Sequence, residues 1–270
     1  MSHAAGIRLT SDMGFSAAWL GLREPADLAA RDPSLLEAAG ACVPEGGLVL
    51  DLGCGTGSTA RAFASIGFSD LRWRFFDNDP ALLAEAARNI PQAEMALGNL
   101  VDIDVLPLEG VSLVTASALL DLMPQCWVEA LADKLWQAGI PFYAALNYDG
   151  RMGWTPELPL DGAVTKYFNR HQRTDKGIGI ALGPKAGAEA ALALRSRGFN
   201  VTFADSPWRL GAAQATLHAE LLGGIGSAAA EAGLNDAAEW ALARCAAVEK
   251  SEGMIGHTDL LAIVPARASA

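Results

Sequence analysis

The chemistry in this sequence gathers at three acids and a row of glycines. Asp51 lies in an apolar run, 48–52, and is followed by glycine at 53, 55 and 57. A helix is expected to begin near Ser58. An apolar strand carrying an acid, then Gly-x-Gly-x-Gly, then a helix start, describes a nucleotide-cofactor loop. Glycines remove Cβ atoms so that backbone N–H groups can touch a ligand, and they allow positive φ in a tight turn. Asp77 ends a second apolar stretch, LRWRFFD, twenty residues after Gly57, and Asn78-Asp79-Pro80 follows it. Gly98-Asn99-Leu100 and the run SALLDL, which starts at Ser117, come after two further apolar stretches. A second set of chemical side chains lies between 148 and 176. Tyr148, Asp149, Arg151 and Trp154 stand close together, and Lys166, Arg170, Arg173 and Lys176 face a single acid, Asp175, with His171 among them. That is a basic island in a chain whose net charge is −11. It reads as a solvated helix face, or as a pocket in which arginine forks grip a carboxylate or phosphate. His171 is a candidate general base, since its ordinary pKa suits neutral pH. Tyr148 and His257 are the other candidates.

These groups need elements to hold them. Residues 16–40 read as helices, with Pro25 and Pro33 at expected helix starts. Arg23, Asp27 and Arg31 are four apart and would share one helix face, although Pro25 interrupts that register. An arginine there would form a charge ladder in water, or reach a ligand carboxylate from a cap. Strands are expected at 48–52, 71–77, 94–97, 111–117 and 141–147, with helices at 58–65, 80–89 and 127–138 between them. This alternation implies a doubly wound, mostly parallel sheet with right-handed crossovers. Residues 148–183 break the pattern over a length that is usually functional or locally helical. A helix at 185–197, capped by Gly198, and the strand FNVTFAD restore it. Residues 212–250 read as alanine-rich helix broken at Gly223-Gly224-Ile225-Gly226, and the last strand is expected near 257–264.

Composition narrows the partners. A length of 270 residues and 51% hydrophobic content suit a single α/β domain with insertions. The acidic balance argues against nucleic acid or an anionic membrane as partner, because both need a basic face. Cys42, Cys54, Cys126 and Cys245 are widely spaced, which disfavours disulfides or zinc and fits a reducing cytoplasm. No metal site is expected. The N-terminus carries no long apolar run typical of a signal peptide, and no apolar stretch reaches the length of a membrane span.

Two cofactors compete for the glycine loop. A dinucleotide fingerprint, G-x-G-x-x-G/A, would need glycine or alanine at the sixth position, where this chain has Ser58. The sequence Asp51-x-Gly-x-Gly-x-Gly resembles instead the first motif of the class I S-adenosylmethionine-dependent methyltransferases, for which DLGCGTG is a common form. The resemblance covers about 46–147 well and the final strands in outline. It implies a Rossmann-like, seven-stranded, mostly parallel sheet with an antiparallel last strand and helical cap insertions. It places Gly53, Gly55 and Gly57 against the cofactor, Asp51 on its methionyl amino group, Asp77 with Asn78 at the ribose, and Asn99-Leu100 at the adenine. Ser117 and the residues after it lie beneath the methionyl part. Asn99 departs from the aspartate usual there, though its amide oxygen can still accept from an adenine amino group. Each position has a plainer reading: Asp51 as a turn cap, Asp77 as a helix cap, Asn99 as a turn residue, Asp121 as a helix-start residue, Cys54 as a small packed side chain.

The division expected on this basis is an N-terminal helical cap (1–45), a cofactor-binding core (46–147), a substrate-cap insertion (148–183), core continued (184–211), a helical insertion (212–251) and the last strand with its tail (252–270). Ligands in open α/β sheets sit beyond the carboxyl ends of the strands. Both insertions leave from that edge, so Arg151, Trp154, Arg170, Arg173, Lys176 and Trp208 are candidate acceptor-binding residues, and His257 should lie nearby. The expected reaction is attack of an acceptor on a sulfonium methyl group, leaving S-adenosylhomocysteine. No Asn-Pro-Pro-Tyr follows the fourth strand, where the family's adenine- or glutamine-methylating members would have it, so a small-molecule acceptor is favoured. The rivals are an enzyme using the same cofactor for other chemistry, a non-catalytic cofactor-binding module and a dehydrogenase. The sequence does not give an oligomeric state.

Overall fold

The structure, a computed structural model, describes residues 15–265. In chain order its elements are α1 (Ala17–Ala30), α2 (Pro33–Ala41), β1 (Leu48–Leu52), α3 (Ser58–Ser65), β2 (Arg72–Asp77), α4 (Pro80–Asn89), β3 (Glu94–Leu97), β4 (Val111–Ser117), α5 (Gln125–Ala138), β5 (Phe142–Thr155), α6 (Asp161–His171), α7 (Ala186–Arg197), β6 (Asn200–Asp205), β7 (Trp208–Leu210), α8 (Ala215–Glu231), α9 (Ala237–Ala247) and β8 (Glu252–Ile263). The sheet runs β3-β2-β1-β4-β5-β8-β6, and β7 pairs with β8 off that path. β1 to β5 are mutually parallel, while β8 is antiparallel to β5, β6 and β7. The order reverses between β1 and β4, so the crevice for a ligand opens beyond the carboxyl ends of these strands.

Local rules explain most element ends. Asp79 accepts from the backbone N–H of Ala81 at 2.8 Å and Pro80 opens α4, so the cap and the proline at the first helical position both appear as the sequence predicts. Asp32 and Pro33 repeat the arrangement at α2. Gly139 and Gly198 close α5 and α7 in the left-handed conformation.

Each face of the sheet is covered. One side buries Leu50, Leu52, Val114 and Ala144 against Leu131 and Leu135 of α5 and Ala190 and Leu194 of α7. The other buries Val49, Phe75, Leu113 and Tyr143 against Leu36, Phe63 and Leu83 from α2, α3 and α4. A third cluster, Trp19, Trp154, Val164, Phe168, Trp208, Leu222 and Trp240 among its members, sits beyond the ligand edge and gives the cap its own core.

Four expectations change. Among the described residues eight strands are present where seven were expected, because Trp208–Leu210 adds a short strand on β8. β5 does not stop at 147 but runs to Thr155, paired with the first half of β8 through Met152↔Ile255 and Trp154↔Gly253. Asp149-Gly150 lies where the register shifts, and Gly150 has φ +89°, so a residue pair that reads as a loop makes a bulge instead. α1 passes through Pro25 unbroken, with the ring exposed, and Arg23 and Asp27 pair across one turn. α8 is also continuous through Gly223-Gly224-Ile225-Gly226. A Cβ on Gly226 would stand 2.7 Å from the Ala241 Cβ of α9, so this glycine permits close helix contact and does not break the helix.

Candidate cofactor and acceptor site

The first half of the site is built from backbone. Gly53, Gly55 and Gly57 all have positive φ. A Cβ on Gly55 would meet Leu20 of α1 at 2.9 Å, so glycine is needed here for the turn and for the helix lying over it. Asp77 is buried and its carboxylate binds backbone on both oxygens: the N–H of Gly55 donates to Oδ2 at 2.9 Å and that of Asp79 donates to Oδ1 at 3.0 Å. The acid thereby pins the glycine loop to the end of β2. Asn78 is exposed beside it. Asn99 is exposed, and its Oδ1 accepts from the Val101 N–H at 3.0 Å, the turn role weighed for it above; its amide nitrogen remains available. The Leu100 carbonyl accepts from the Trp127 indole, which fixes the chain below β3.

Beyond β1 and β4 the site is built from side chains. Asp51 is fully buried; its Oδ1 accepts from the Thr115 hydroxyl at 2.7 Å, and its Oδ2 has no partner. Burial pushes its carboxyl up to about 7, against the pull of Thr115, Arg31 and Thr59. Arg31, at the C-cap of α1, is buried too: its Nη2 donates to Ser117 Oγ at 2.9 Å and its Nη1 is without a partner. An unpartnered carboxylate oxygen and an unpartnered guanidinium nitrogen thus lie buried on groups near enough to influence one another. Buried polar atoms are rarely left this way. The pair is complementary to a zwitterion, with an ammonium for Asp51 and a carboxylate for Arg31, so the residues present fit the methionyl end of S-adenosylmethionine.

The backbone here is held under strain. Ala118 after β4 and Leu146 in β5 are non-glycine residues with φ +49° and +56°. Such residues cost roughly 1–3 kcal/mol each and persist where their surroundings over-determine them. Asp259 does so: its Oδ1 accepts from the Leu146 N–H at 2.8 Å, while its Oδ2 accepts from the Asp32 N–H at 3.0 Å and the Tyr143 hydroxyl at 3.1 Å. Asp259 and Thr115 were not among the residues singled out above, while Arg31 was named only as one of the arginines that could reach a ligand carboxylate from a cap. Arg31 had its signal in the four-residue spacing from Asp27, and Asp259 in being an acid inside the apolar strand HTDLLAIV. Nothing local marks Thr115.

Further along the edge, α1 reaches the cap. Arg23 pairs with Asp27 at 2.9 Å and lies 5.0 Å above the Trp208 ring, whose indole N–H donates to Asp27 at 3.0 Å. The His257 ring packs 5.3 Å from Trp208 and 6.3 Å from Tyr148. His257 is buried with an unpartnered Nδ1, and burial, with Arg23 beside it, lowers its pKa to about 3. It is a neutral and weakly basic imidazole at physiological pH. The Tyr148 hydroxyl donates to Asn169 at 2.7 Å, and burial together with Asp149 and Asp121 pushes it above the usual phenol range. Lys176 is half-buried, its ammonium lowered by burial and raised by Glu231 and Asp121.

Other candidates lie elsewhere. Arg151 is exposed and paired with Asp149 and Asp205. Arg170 and Arg173 are exposed. The basic island therefore does not close into one pocket, because helical phase turns Arg170 outward on α6. His171 meets Glu231 of α8 at 3.0 Å, tying two cap helices together. Trp154 is a core residue of the cap and no pocket wall: it packs on Trp240, lies under Arg244, and its indole N–H donates to His218 at 3.2 Å. Cys54 is buried and in no disulfide, and its thiol donates to the Gly55 carbonyl at 3.6 Å, as a packed side chain would. A concavity of about 510 Å³ lies on the outer face between α7 and β6, lined by Pro184, Ala188, Leu192, Arg195 and Phe203, with Tyr148, Asp149 and Thr258 on the side of the edge. None of the buried, unpartnered polar atoms of the described residues belongs to its lining. Among the described residues, no three His, Cys, Asp or Glu side chains are placed to hold a metal ion, and no helix is long and apolar enough to cross a membrane.

Residues 49–138 match the family model described as a methyltransferase domain. No curated protein matches the sequence. Among solved structures, a Bacillus halodurans C-125 protein described as a candidate methyltransferase is similar over 89% of this chain and 100% of its own, with 15% identity and a TM-score of 0.53. A protein of Anaeromyxobacter dehalogenans described as a candidate type II methyltransferase is 20% identical over 87% of this chain and 98% of its own, at 0.52. An Anabaena variabilis ATCC 29413 protein, described as a candidate methyltransferase of an antibiotic biosynthesis pathway, is 15% identical over 88% and 100%, at 0.53. At these identities the likeness speaks for the fold.

Proposed function

We propose that this chain, whose residues 49–138 match a methyltransferase domain, is a class I S-adenosylmethionine-dependent methyltransferase that methylates a small-molecule acceptor and releases S-adenosylhomocysteine. The observation that carries the cofactor assignment at residue level is the buried, unpartnered pair Asp51 Oδ2 and Arg31 Nη1. When bound, the cofactor supplies an electrophilic methyl group on a sulfonium. Asp51 and Arg31 grip the ammonium and carboxylate of its methionyl end, and Ser117 orients Arg31. Asp77, with Asn78 beside it, serves the ribose, the glycines at 53, 55 and 57 admit the nucleoside, and Asn99 and Leu100 edge the adenine.

The chain's own contribution to rate is then alignment and dryness. α1 covers the edge, with Leu20 over the glycine loop and Arg23 over Trp208. Fixing two reactants in such a space is worth effective molarities on the order of 10⁵–10⁸ M in well-oriented systems. Of the candidate bases, His257 is too weakly basic at about 3, and Tyr148 and His171 are engaged with Asn169 and Glu231. The acceptor-facing residues in this reading are Trp208, Tyr148, Lys176 and Arg23. The small size of the acceptor is supported by the closed cover of α1 and by the acidic charge of the chain. The test is thermal: S-adenosylhomocysteine should raise the melting temperature by several degrees while NAD does not, and the purified protein should release S-adenosylhomocysteine when given a metabolite extract. A shift with NAD alone would sink the reading.

A further inference from the structure

One hydrogen bond of the candidate site has both of its sides tied to the same distant acid. It runs from Arg31 Nη2 to Ser117 Oγ over 2.9 Å, and it leaves Arg31 Nη1 buried without a partner. The donor side is held at the backbone. Arg31 is the C-cap of α1 and Asp32 the N-cap of α2, so the peptide joining them is the joint between two helices. The N–H of that peptide donates to Asp259 Oδ2 at 3.0 Å.

The acceptor side is held through a bulge. In β8, Thr258 faces Asn147 and Leu260 faces Ala144, so Asp259 between them opposes both Ala145 and Leu146 of β5. Asp259 Oδ1 accepts from the Leu146 N–H at 2.8 Å. The carbonyl of Ala145, in the same bulge, accepts from the N–H of Ala118 at 2.9 Å, and Ala118 follows Ser117 directly. The two non-glycine residues with positive φ, Ala118 and Leu146, are thus bonded into one unit. Asp259 is itself fully buried, and the Tyr143 hydroxyl donates to its Oδ2 at 3.1 Å. A buried carboxylate that accepts from three donors is fixed in place by them.

We infer that Asp259 is a positioning residue for the cofactor: it sets the joint of α1 and α2 against the turn after β4, and so aims Arg31 Nη1 at the methionyl carboxylate. This rests on the reading in which Arg31 receives that carboxylate, and it adds the residue that gives the reception a direction. A guanidinium is a rigid planar fork, and it grips a carboxylate well only when its plane is set. Asp259 acts through Arg31 alone. Its charge works the other way. Burial opposes the charge on Arg31, and Tyr143, Asp259 and Asp27 outweigh it, so the guanidinium stands above its ordinary pKa. The same negative charge repels a ligand carboxylate. A purely electrostatic Asp259 would therefore weaken the grip on that carboxylate, whereas a positioning Asp259 strengthens it. The two roles have opposite signs.

The experiment uses the full chain and two ligands, S-adenosylhomocysteine and S-adenosyl-3-thiopropylamine, which lacks only the carboxylate. Titration calorimetry gives the ratio of their affinities. In the wild type the ratio should favour the carboxylate by on the order of 30-fold or more, and in Arg31→Met it should fall close to one. In Asp259→Asn the ratio should fall about fivefold or more, while affinity for the ligand without the carboxylate stays within about threefold. Tyr143→Phe removes one donor and keeps the charge of Asp259, so it should lower the ratio about two- to fivefold. A scaffold role lowers both affinities together and leaves the ratio unchanged, and an electrostatic role raises it. Either result in Asp259→Asn overturns this inference alone. Where that variant does not fold, an unchanged ratio in Tyr143→Phe overturns it. A wild-type ratio near one takes Arg31 off the carboxylate and this inference with it. No binding of either ligand to the wild type removes the cofactor reading as a whole.

Discussion

The two halves of the ligand edge are made differently. Over β1 and β2 the work is done by backbone: three glycines with positive φ, and an Asp77 carboxylate held by two N–H donors. Over β4, β5 and β8 it is done by side chains from distant parts of the chain, with Arg31 of the α1 cap on Ser117, Trp208 on Asp27 and Asp259 on Leu146. The backbone half is satisfied in itself. The side-chain half, which Asp51 joins from the end of β1 through its bond to Thr115 of β4, holds buried polar atoms with no partner on Asp51, Arg31, Asp121 and His257. A satisfied scaffold recognises a ligand by shape, and an unsatisfied one by charge that the ligand must complete. The first half should therefore contribute to stability as well as binding, while the second gives up stability for binding.

Asp51 gives the sharpest way to break this contrast. On the proposed reading, in which Asp51 is the partner of the cofactor's ammonium, Asp51→Asn should cost about 2–5 kcal/mol of S-adenosylhomocysteine affinity, read by titration calorimetry. The same change should stabilise the ligand-free protein at neutral pH. The Asp51 carboxyl is raised to about 7 in the fold from an ordinary value of 3.8. The stability linked to its protonation is complete below pH 4 and is lost as pH rises to about 7. Asp51→Asn keeps it, so the stability gap between variant and wild type should open across that window, reaching at most about 4 kcal/mol at roughly 1.4 kcal/mol per unit. Chemical denaturation at pH 4.5 and pH 8 measures it. A gap that does not change with pH would end the idea of a destabilised anion.

Asp77→Ala should behave in the opposite manner. It strands two N–H donors, so stability and cofactor affinity should both fall, each by about 1.5–3 kcal/mol. Stability unchanged in Asp77→Ala would erase the distinction between the halves. His257 tests the side-chain half from the acid direction. Its pKa is lowered to about 3 from 6.5, so its contribution is present above pH 6.5 and lost as pH falls towards 3. His257→Gln should abolish that loss, gaining about 2 kcal/mol on wild type at pH 5 relative to pH 7.5. Arg170→Ala marks the small end: the side chain is exposed, so stability should move by less than about 0.5 kcal/mol and product affinity less than twofold.

The same contrast explains what could be seen in the sequence. The glycine loop, Asp77 and the alternation of strands with helices were legible because each depends on neighbours in the chain: a cap next to its helix, glycine next to its turn, strand next to helix. The side-chain half depends on long-range contacts. Trp154 was placed on the acceptor and lies in the cap core, since nothing local reveals that Trp240 and His218 will cover it. The end of β5 was missed because Asp149-Gly150 has the composition of a loop, and only its partner β8 makes it strand. The glycines in α8 read as a break because the close approach of α9 cannot be seen from within α8. The basic island failed as a pocket because charge alone carries no direction.

Helix α1 has one more consequence. It is a single rigid body that touches both halves, with Leu20 on the glycine loop, Arg31 on Ser117 and Arg23 on Trp208. Whatever settles one end of such a rod also settles the other. The two substrates should accordingly bind with positive cooperativity: occupancy at the methionyl end holds Arg23 in place for the acceptor, and by reciprocity the acceptor tightens binding of the nucleoside by the same factor. An acceptor measured against the bare protein would then look weaker than it is in the ternary complex, and a search for this enzyme's acceptor is best made with the nucleoside site already filled.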